Sequence, residues 1–202
     1  MKKIIAILLS LVCVFGLASC GEDAPQDAAL NAITAAISAA DPTGAVLETK
    51  ITSKTFGISL EGEYTISFGE DGTATVSYTY DQLNLIGAGT SGTNITAPVE
   101  GVATIAKDGT VTVVEGEGSV GAQITAVAGV KLNLDATKMT YSISSGVLSA
   151  TVKAQDTRSV FGIDIEADVG LVVSTANGKV STITLTYVTD EVEAEIVCVY
   201  NY

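Results

Sequence analysis

The chain has no histidine and no tryptophan among its 202 residues, and it has only three cysteines. Without histidine, no Ser-His-Asp or Cys-His catalytic arrangement can form, and no His-containing zinc or copper site is available. Cys198 is the only cysteine beyond residue 20, which leaves that part of the chain without a disulfide or a thiolate metal site. We therefore expect no catalytic residue, no cofactor and no metal.

Basic residues are also scarce, with ten Lys and Arg against 23 Asp and Glu, a formal net charge of −13. Those beyond the N-terminus are scattered singly from Lys50 to Lys179. Binding to a polyanion needs clustered basic side chains, so the composition predicts no nucleic-acid partner. An acidic balance of this kind is typical of a soluble surface.

Carboxylates are the one remaining route to catalysis, because a glycoside hydrolase needs only two of them. The pattern places the candidates on the polar faces of alternating strands: Glu61, Glu63, Glu166, Asp168, Glu191, Glu193 and Glu195. A solvated strand face is the favoured interpretation of such spacing, and no EF-hand calcium spacing occurs. We expect the protein not to be an enzyme, and Cys198, within an apolar run, to be a buried strand residue.

The first twenty residues have the organisation of an export signal. Lys2 and Lys3 precede an apolar run, Ile4–Leu17, that is too short to be a comfortable permanent membrane span. The run Leu17-Ala18-Ser19-Cys20 then resembles the lipobox of bacterial lipoproteins. The resemblance implies acylation of the Cys20 sulfur and cleavage just before it, whereas ordinary secretion with a free Cys20 is the alternative.

Cleavage there would leave 183 residues with eight basic and 23 acidic side chains, a formal net charge of −15. We expect a leader at 1–19, the lipidated Cys20 with a short tether at 20–25, and one domain at 26–202. The membrane would be a partner through the acyl chains on Cys20, since two or more chains anchor a protein stably. The body would face the periplasm or the cell exterior from the cell membrane or the outer membrane.

Residues 26–40 predict one amphipathic helix, because Leu30, Ile33 and Ile37 share a face and Asp41-Pro42 ends the pattern. From Val46 onward the period changes to two. Turn signals at Asp71-Gly72, Asp108-Gly109 and Asn177-Gly178 predict three hairpins. Further strands are predicted at 139–143, 147–154 and 192–200, for roughly nine or ten in all, with long loops at 86–98 and 115–121. Residues 123–130 fit a short helix or a buried strand.

The fold class is therefore mostly β, with one N-terminal amphipathic helix packed on a large curved antiparallel sheet, as a half-barrel or β-meander. Residues 55–63 also match residues 160–168 in the order Phe, Gly, Ile and Glu, after a shift of 105 residues. Two explanations stay open: two pseudo-repeated halves, or two amphipathic hairpins of similar composition.

An acylated cysteine, a tether, one helix and a long meander resemble, by architecture, the LolA/LppX-like envelope lipoproteins. The resemblance implies a half-open barrel that carries lipid or acyl chains, although no motif transfers residues of that family to this chain. The apolar face that could line such a ligand site is Leu60, Tyr64, Ile66, Phe68, Val76, Tyr78 and Tyr80. Core packing is the alternative for these residues.

Two functions follow from this reasoning. The first is a membrane-anchored, non-enzymatic envelope lipoprotein that binds or carries an apolar, lipid-like ligand between the sheet and the helix of residues 26–40. The alternative is a surface or scaffold lipoprotein that has no small-molecule ligand. Its polar sheet face, or the loop at 87–94, would then bind a protein or glycan partner.

Overall fold

A computed structural model describes residues 26–83, 96–108, 110–118 and 132–202. The leader, Cys20 and the tether lie outside the described residues, as do most of the predicted loop at 86–98 and the ambiguous stretch at 123–130. The described elements are α1 (Gln26–Ser38), β1 (Gly44–Ser53), β2 (Ile58–Phe68), β3 (Ala74–Leu83), β4 (Thr96–Ile105), β5 (Val111–Gly116), β6 (Met139–Ser144), β7 (Val147–Val152), a 3-10 turn (Ala154–Asp156), α2 (Thr157–Phe161), β8 (Val169–Ala176), β9 (Lys179–Val188) and β10 (Val192–Asn201).

The ten strands form one curved sheet in the order β5-β4-β3-β2-β1-β10-β9-β8-β7-β6, and every neighbouring pair is antiparallel. Two five-stranded meanders meet where β1 pairs with β10, from Gly44 opposite Asn201 to Ser53 opposite Val192. The sheet does not close, because β5 and β6 remain as its two edges. The predicted fold class, mostly β with an N-terminal helix on a large antiparallel sheet, is confirmed.

Side-chain alternation gives the sheet one apolar and one polar face. In β2, Tyr64 and Ile66 are buried whereas Glu61, Glu63 and Thr65 are exposed. We call the side that carries the buried residues the inner face and the opposite side the outer face. The inner face holds the hydrophobic core, whose most deeply buried large residues include Leu47, Leu148, Leu171, Ile183 and Leu185.

The tight hairpins at one end of the sheet follow from local turn chemistry. Asp71 and Asp108 each accept a hydrogen bond from the backbone N–H of the threonine two residues later, at 3.0 and 2.9 Å. The pKa of Asp71 is lowered by a hydrogen bond from the Thr73 hydroxyl at 2.6 Å and then by the backbone bond, whereas the pKa of Asp108 is lowered mainly by its backbone bond from Thr110. Asn177 and Gly178 both adopt positive φ, 54° and 74°, which a two-residue hairpin turn between β8 and β9 requires. We call this the hairpin end of the sheet.

Helix α1 crosses the hairpin end of the C-terminal meander. Its buried face is Leu30, Ile33 and Ile37, as predicted, and it packs on β6 and β9. The helix ends at Ser38 rather than at residue 40, ahead of Asp41-Pro42. An isolated helix of this length is marginal in water, so burial of these three side chains is what holds it.

Three predicted boundaries are wrong at the ends of strands. Residues 96–98 belong to β4 rather than to the predicted loop at 86–98. Glu115 and Gly116 are the last residues of β5 rather than the first residues of the predicted loop at 115–121. Strand β7 ends at Val152, before the 3-10 turn at Ala154. The composition of residues 86–98, rich in glycine, serine and threonine, suggested a loop, yet pairing with β3 extends β4 across Pro98.

The connection between β7 and β8 is helical and was not predicted. Thr157, Val160 and Phe161 of α2 are buried, and the Thr157 hydroxyl both donates to the Ala154 carbonyl and accepts from Ile165 N–H, each at 2.9 Å. The placement of Glu166 and Asp168 on a strand is therefore wrong. Both lie in the segment after α2, where Asp168 accepts a bond from Lys153 Nζ at 2.6 Å.

The proposed repeat of residues 55–63 and 160–168 is also wrong. Phe56 lies in the turn between β1 and β2 and is 68% exposed, whereas Phe161 ends α2 and is 4% exposed. Residues 58–63 form a strand, and residues 163–168 do not. The shared letters reflect similar amphipathic composition and not equivalent positions in two halves.

Candidate functional site

The seven predicted ligand-lining residues lie together on the inner face of β2 and β3. The register places Tyr64 opposite Tyr78 and Ile66 opposite Val76. These four side chains are buried in the hydrophobic core, at 8% exposure or less. Leu60, Phe68 and Tyr80 are half-buried, so the apolar face continues from the core towards solvent.

Three tyrosine rings form the centre of this surface, which we call the tyrosine face. The ring centroids of Tyr64 and Tyr80 are 6.4 Å apart and those of Tyr78 and Tyr80 are 5.8 Å apart, with interplanar angles of 17° and 28°. The Tyr78 hydroxyl donates a hydrogen bond to the Glu117 carbonyl at 2.8 Å. Burial, followed by the neighbouring Tyr80, raises the pKa of both Tyr64 and Tyr78, so both phenols are neutral at physiological pH.

Two strand glycines make room for these rings. Gly101 lies opposite Tyr78, and a Cβ added there would come 2.5 Å from the Tyr78 hydroxyl oxygen. Gly62 lies opposite Tyr80, and a Cβ there would come 3.0 Å from the Tyr64 ring. An aromatic side chain that covers a glycine on a neighbouring strand is a recurrent packing device in sheets. Two glycines inside strand patterns are the sequence signal for this packing, which was not predicted.

Helix α1 lies elsewhere. It packs on β6 and β9 of the C-terminal meander, whereas the tyrosine face belongs to the N-terminal meander. The expectation of a ligand held between the tyrosine face and this helix is therefore wrong.

An apolar groove runs along α1 at the hairpin end of the sheet. Its volume is about 570 Å³, and its lining includes Ala29, Ala32, Ile33, Ala35, Ala36, Ala39, Ile143, Gly146, Thr175 and Gly178. This groove was not predicted, because it forms between the helix and the tips of two hairpins that are distant along the chain. The alanines keep the helix surface flat, and the two turn glycines leave its rim open.

A second groove, of about 450 Å³, lies by β2–β5, and three carboxylates are among its lining residues: Glu63, Glu100 and Glu115. It borders a register shift between β4 and β5 at Val102 and Ala103. In the described ranges, no group of three or more His, Cys, Asp or Glu side chains is arranged to hold a metal ion. Glu61 and Glu63 are exposed on the polar face of β2, as predicted.

Cys198 is a buried inner-face residue of β10, as predicted, with no exposed surface. Burial raises the pKa of its thiol to about 11, although a hydrogen bond with Tyr200 opposes the effect. The thiol is therefore protonated and inaccessible in the folded protein at neutral pH, which does not suit a nucleophile.

Comparisons with known proteins give no family. No protein-family model matches the chain, and no curated protein matches it. One similar solved structure is the crystal structure of LprF from Mycobacterium bovis, with a TM-score of 0.43 and 10% sequence identity over 88% of this chain and 94% of that chain. At this level of similarity the comparison assigns neither a family nor a function. Among the described helices, none is long and apolar enough to span a bilayer.

Proposed function

We propose that the protein is a lipid-anchored envelope lipoprotein, without enzymatic activity, that binds an apolar, lipid-like ligand on the tyrosine face. The anchor rests on the sequence from Lys2 to Cys20, which has the order and spacing of a lipoprotein leader. The ligand rests on a single observation, which is the continuous apolar and aromatic surface that β2 and β3 build on the inner face, away from α1.

The composition of that surface suits an acyl chain or a similar molecule. Tyr80 is half-buried and stacks on the buried rings of Tyr64 and Tyr78, so an acyl chain can lie against its ring while its hydroxyl end stays near polar groups. Leu60 and Phe68 extend the surface at its two ends and are only half-buried. Ligand pockets are usually of this kind, mostly apolar with a few placed polar groups.

The absence of histidine and of a cysteine pair beyond residue 20 supports a role without catalysis. Two of the carboxylates considered for catalysis form ion pairs. Glu61 pairs with Lys50 at 3.5 Å, and Asp168 pairs with Lys153 at 2.6 Å. Both ion pairs are solvent-exposed, and the hydrogen bond from Lys153 lowers the pKa of the Asp168 carboxyl group, which is the opposite of the raised pKa expected of a general acid.

Native mass spectrometry of a secreted form that begins at Gly21 tests the ligand. We expect a lipid-sized mass that stays with the folded protein and is lost on unfolding. Leu60→Asp should abolish that mass, because it places a carboxylate on the half-buried end of the tyrosine face. Ser59→Asp is the matched control, since it makes the same charge on the next residue of β2 but on the outer face.

Retention of the bound mass by Leu60→Asp, with an unchanged urea midpoint, would contradict the tyrosine face as the site. A protein that carries no such mass, and takes up no fluorescent fatty acid when one is supplied, would contradict ligand binding altogether. Loss of the mass from both variants would show that the added charge acts without regard to the face.

The second candidate function is a scaffold that binds a protein or glycan partner. The observation that favours it is the second groove, whose rim carries Thr65, Ser77 and Thr79 beside the three carboxylates. The predicted loop at 87–94 lies outside the described residues. A photo-crosslinking residue at Thr79 in intact cells, with Tyr80 as the inner-face control, should capture a neighbour only from Thr79 if this function holds.

A further inference from the structure

Gln26, the first residue of α1 and of the described chain, is fixed on the edge strand β6. The side-chain amide of Gln26 accepts a hydrogen bond from Ile143 N–H at 2.8 Å and donates one to the Ile143 carbonyl at 3.3 Å. The next residue, Asp27, accepts a bond from the Tyr141 hydroxyl at 2.9 Å. The first turn of α1 is thus tied to β6 by three hydrogen bonds.

The distance from this point to the anchor is short. Six Cα-to-Cα steps separate Cys20 from Gln26, and at about 3.8 Å per step they span at most about 23 Å. This reach is shorter than the described strands with their loops, so the anchor restricts which surface of the body can meet the bilayer. With Cys20 held in the bilayer, the corner that carries α1 and the edge of β6 lies within that distance of the membrane.

The surface around that corner carries few charged residues, of which Asp27 in the first turn of α1 is one. From Ala28 to Ala40 there is no charged residue, and the helix exposes alanines to solvent at positions 28, 32, 35 and 39. The adjoining hairpin tips, Ser145-Gly146 and Asn177-Gly178, are uncharged as well. Beside them, the Lys179 ammonium lies over the Tyr202 ring at 4.3 Å, which places a cation and an exposed aromatic side chain at the same end.

The outer face of the sheet has the opposite character. Its central strands carry a band of carboxylates at Glu48, Glu61, Glu63, Glu100, Glu193 and Glu195, with Lys50 as a basic residue among them. Anionic headgroups repel such a band, whereas a surface of few charged residues with a lysine and a tyrosine is suited to the interfacial region.

We propose that the α1 surface, formed by the exposed side of α1 with the β6–β7 and β8–β9 hairpin tips, rests on the bilayer that holds Cys20. The apolar groove along α1 then faces the headgroup region, and the acidic outer face points away from it. This inference rests on the proposed lipidation of Cys20 and adds the orientation of the body to it.

The absence of tryptophan from the chain allows a direct test. We would introduce a single tryptophan by Ala32→Trp and couple residues 20–202 through the Cys20 thiol to a maleimide lipid. The vesicles would contain phosphatidylcholine and phosphatidylglycerol with brominated acyl chains. Coupling is selective because the Cys198 thiol is fully buried. Val188→Trp is the matched control, since Val188 is exposed at the far end of β9, about 30 Å along the strand from the hairpin tip.

We expect the bromine atoms to quench Ala32→Trp severalfold more strongly than Val188→Trp, and only after coupling. Ala28→Trp, on the same helix, serves if Ala32→Trp fails to fold. Equal quenching, or stronger quenching of Val188→Trp, would overturn the orientation. The emission of Ala32→Trp could also shift with protein concentration in the absence of vesicles. That result would overturn the proposed orientation, because it would show that the α1 surface binds a second copy of the protein.

The coupling supplies the anchor chemically, whatever the cell does to Cys20. A free Cys20 in cells would therefore overturn the proposed anchor without changing the quenching result. A wrong order of quenching would overturn the orientation and leave the anchor standing.

Discussion

The side chain of Gln26 forms two hydrogen bonds with the backbone of the edge strand β6. Its replacement should therefore lower the free energy of unfolding by more than a surface substitution normally does. Its amide offers the edge of β6 an acceptor and a donor, as the peptide group of a further strand would. One hydrogen bond makes a net contribution of about 0.5–1.5 kcal/mol to stability. Because both bonds are solvent-exposed, each should lie in the lower part of that range, and we expect Gln26→Ala to lower the free energy of unfolding by about 1–2 kcal/mol.

Gln26→Glu distinguishes the hydrogen bonds to β6 from the general effect of a side chain in the first turn of a helix. A glutamate in the first turn of a helix is normally favourable by about 0.3–1 kcal/mol, because it complements the helix dipole. Here it keeps the acceptor for Ile143 N–H but replaces the donor with a carboxylate oxygen, 3.3 Å from the Ile143 carbonyl oxygen. Urea unfolding should therefore show a lower midpoint with an unchanged slope. A midpoint equal to or above that of the unchanged protein would show that the hydrogen bonds between Gln26 and Ile143 do not stabilise the fold.

Further predictions concern the core and the pH dependence of stability. Burial raises the pKa of the Cys198 thiol from the ordinary 9.0 to about 11, so the unfolded chain loses this proton first as the pH rises. Its contribution is therefore complete below pH 9 and declines by about 2–3 kcal/mol between pH 9 and 11. Cys198→Ala should flatten that part of the stability profile, and an unchanged slope would contradict the assignment. Phe161→Ala should cost about 3–5 kcal/mol in chemical unfolding because the ring is buried, whereas Phe56→Ala should cost under about 0.5 kcal/mol. Equal losses of unfolding free energy in the two variants would contradict the different environments of Phe56 and Phe161.

The local features of the fold were predictable because they depend on neighbouring residues. Period-two alternation located β2 and β3, and three Asx-Gly pairs located three hairpins. The Ser145-Gly146 turn between β6 and β7 also has positive φ at both residues, 50° and 78°. This hairpin was not predicted, because serine is a weaker turn signal than asparagine or aspartate.

The long-range features were not predictable from such patterns. Gly44 pairs with Asn201 across nearly the whole chain, and nothing local selects β10 rather than another strand as the partner of β1. The segment at 160–168 alternates like a strand, but its first two residues, Val160 and Phe161, end helix α2, and Gly162 follows them with φ of 77°. Burial of Val160 and Phe161 in the core decided that outcome.

The same distinction applies to the candidate site. Alternation alone placed the seven residues of the tyrosine face on one side of β2 and β3. The stacking of the three rings required the register, which sets Gly62 opposite Tyr80 and Gly101 opposite Tyr78. The position of α1 over the other meander depends on the bonds of Gln26 and Asp27 to β6, which connect residues more than a hundred positions apart.

The intact mass of the protein extracted from its own membranes tests the central claim most directly. The account predicts a polypeptide of residues 20–202 that carries the mass of two or three acyl chains, with the modification on the N-terminal Cys20 after proteolysis. A chain that begins at another residue, or an unmodified Cys20, would contradict it.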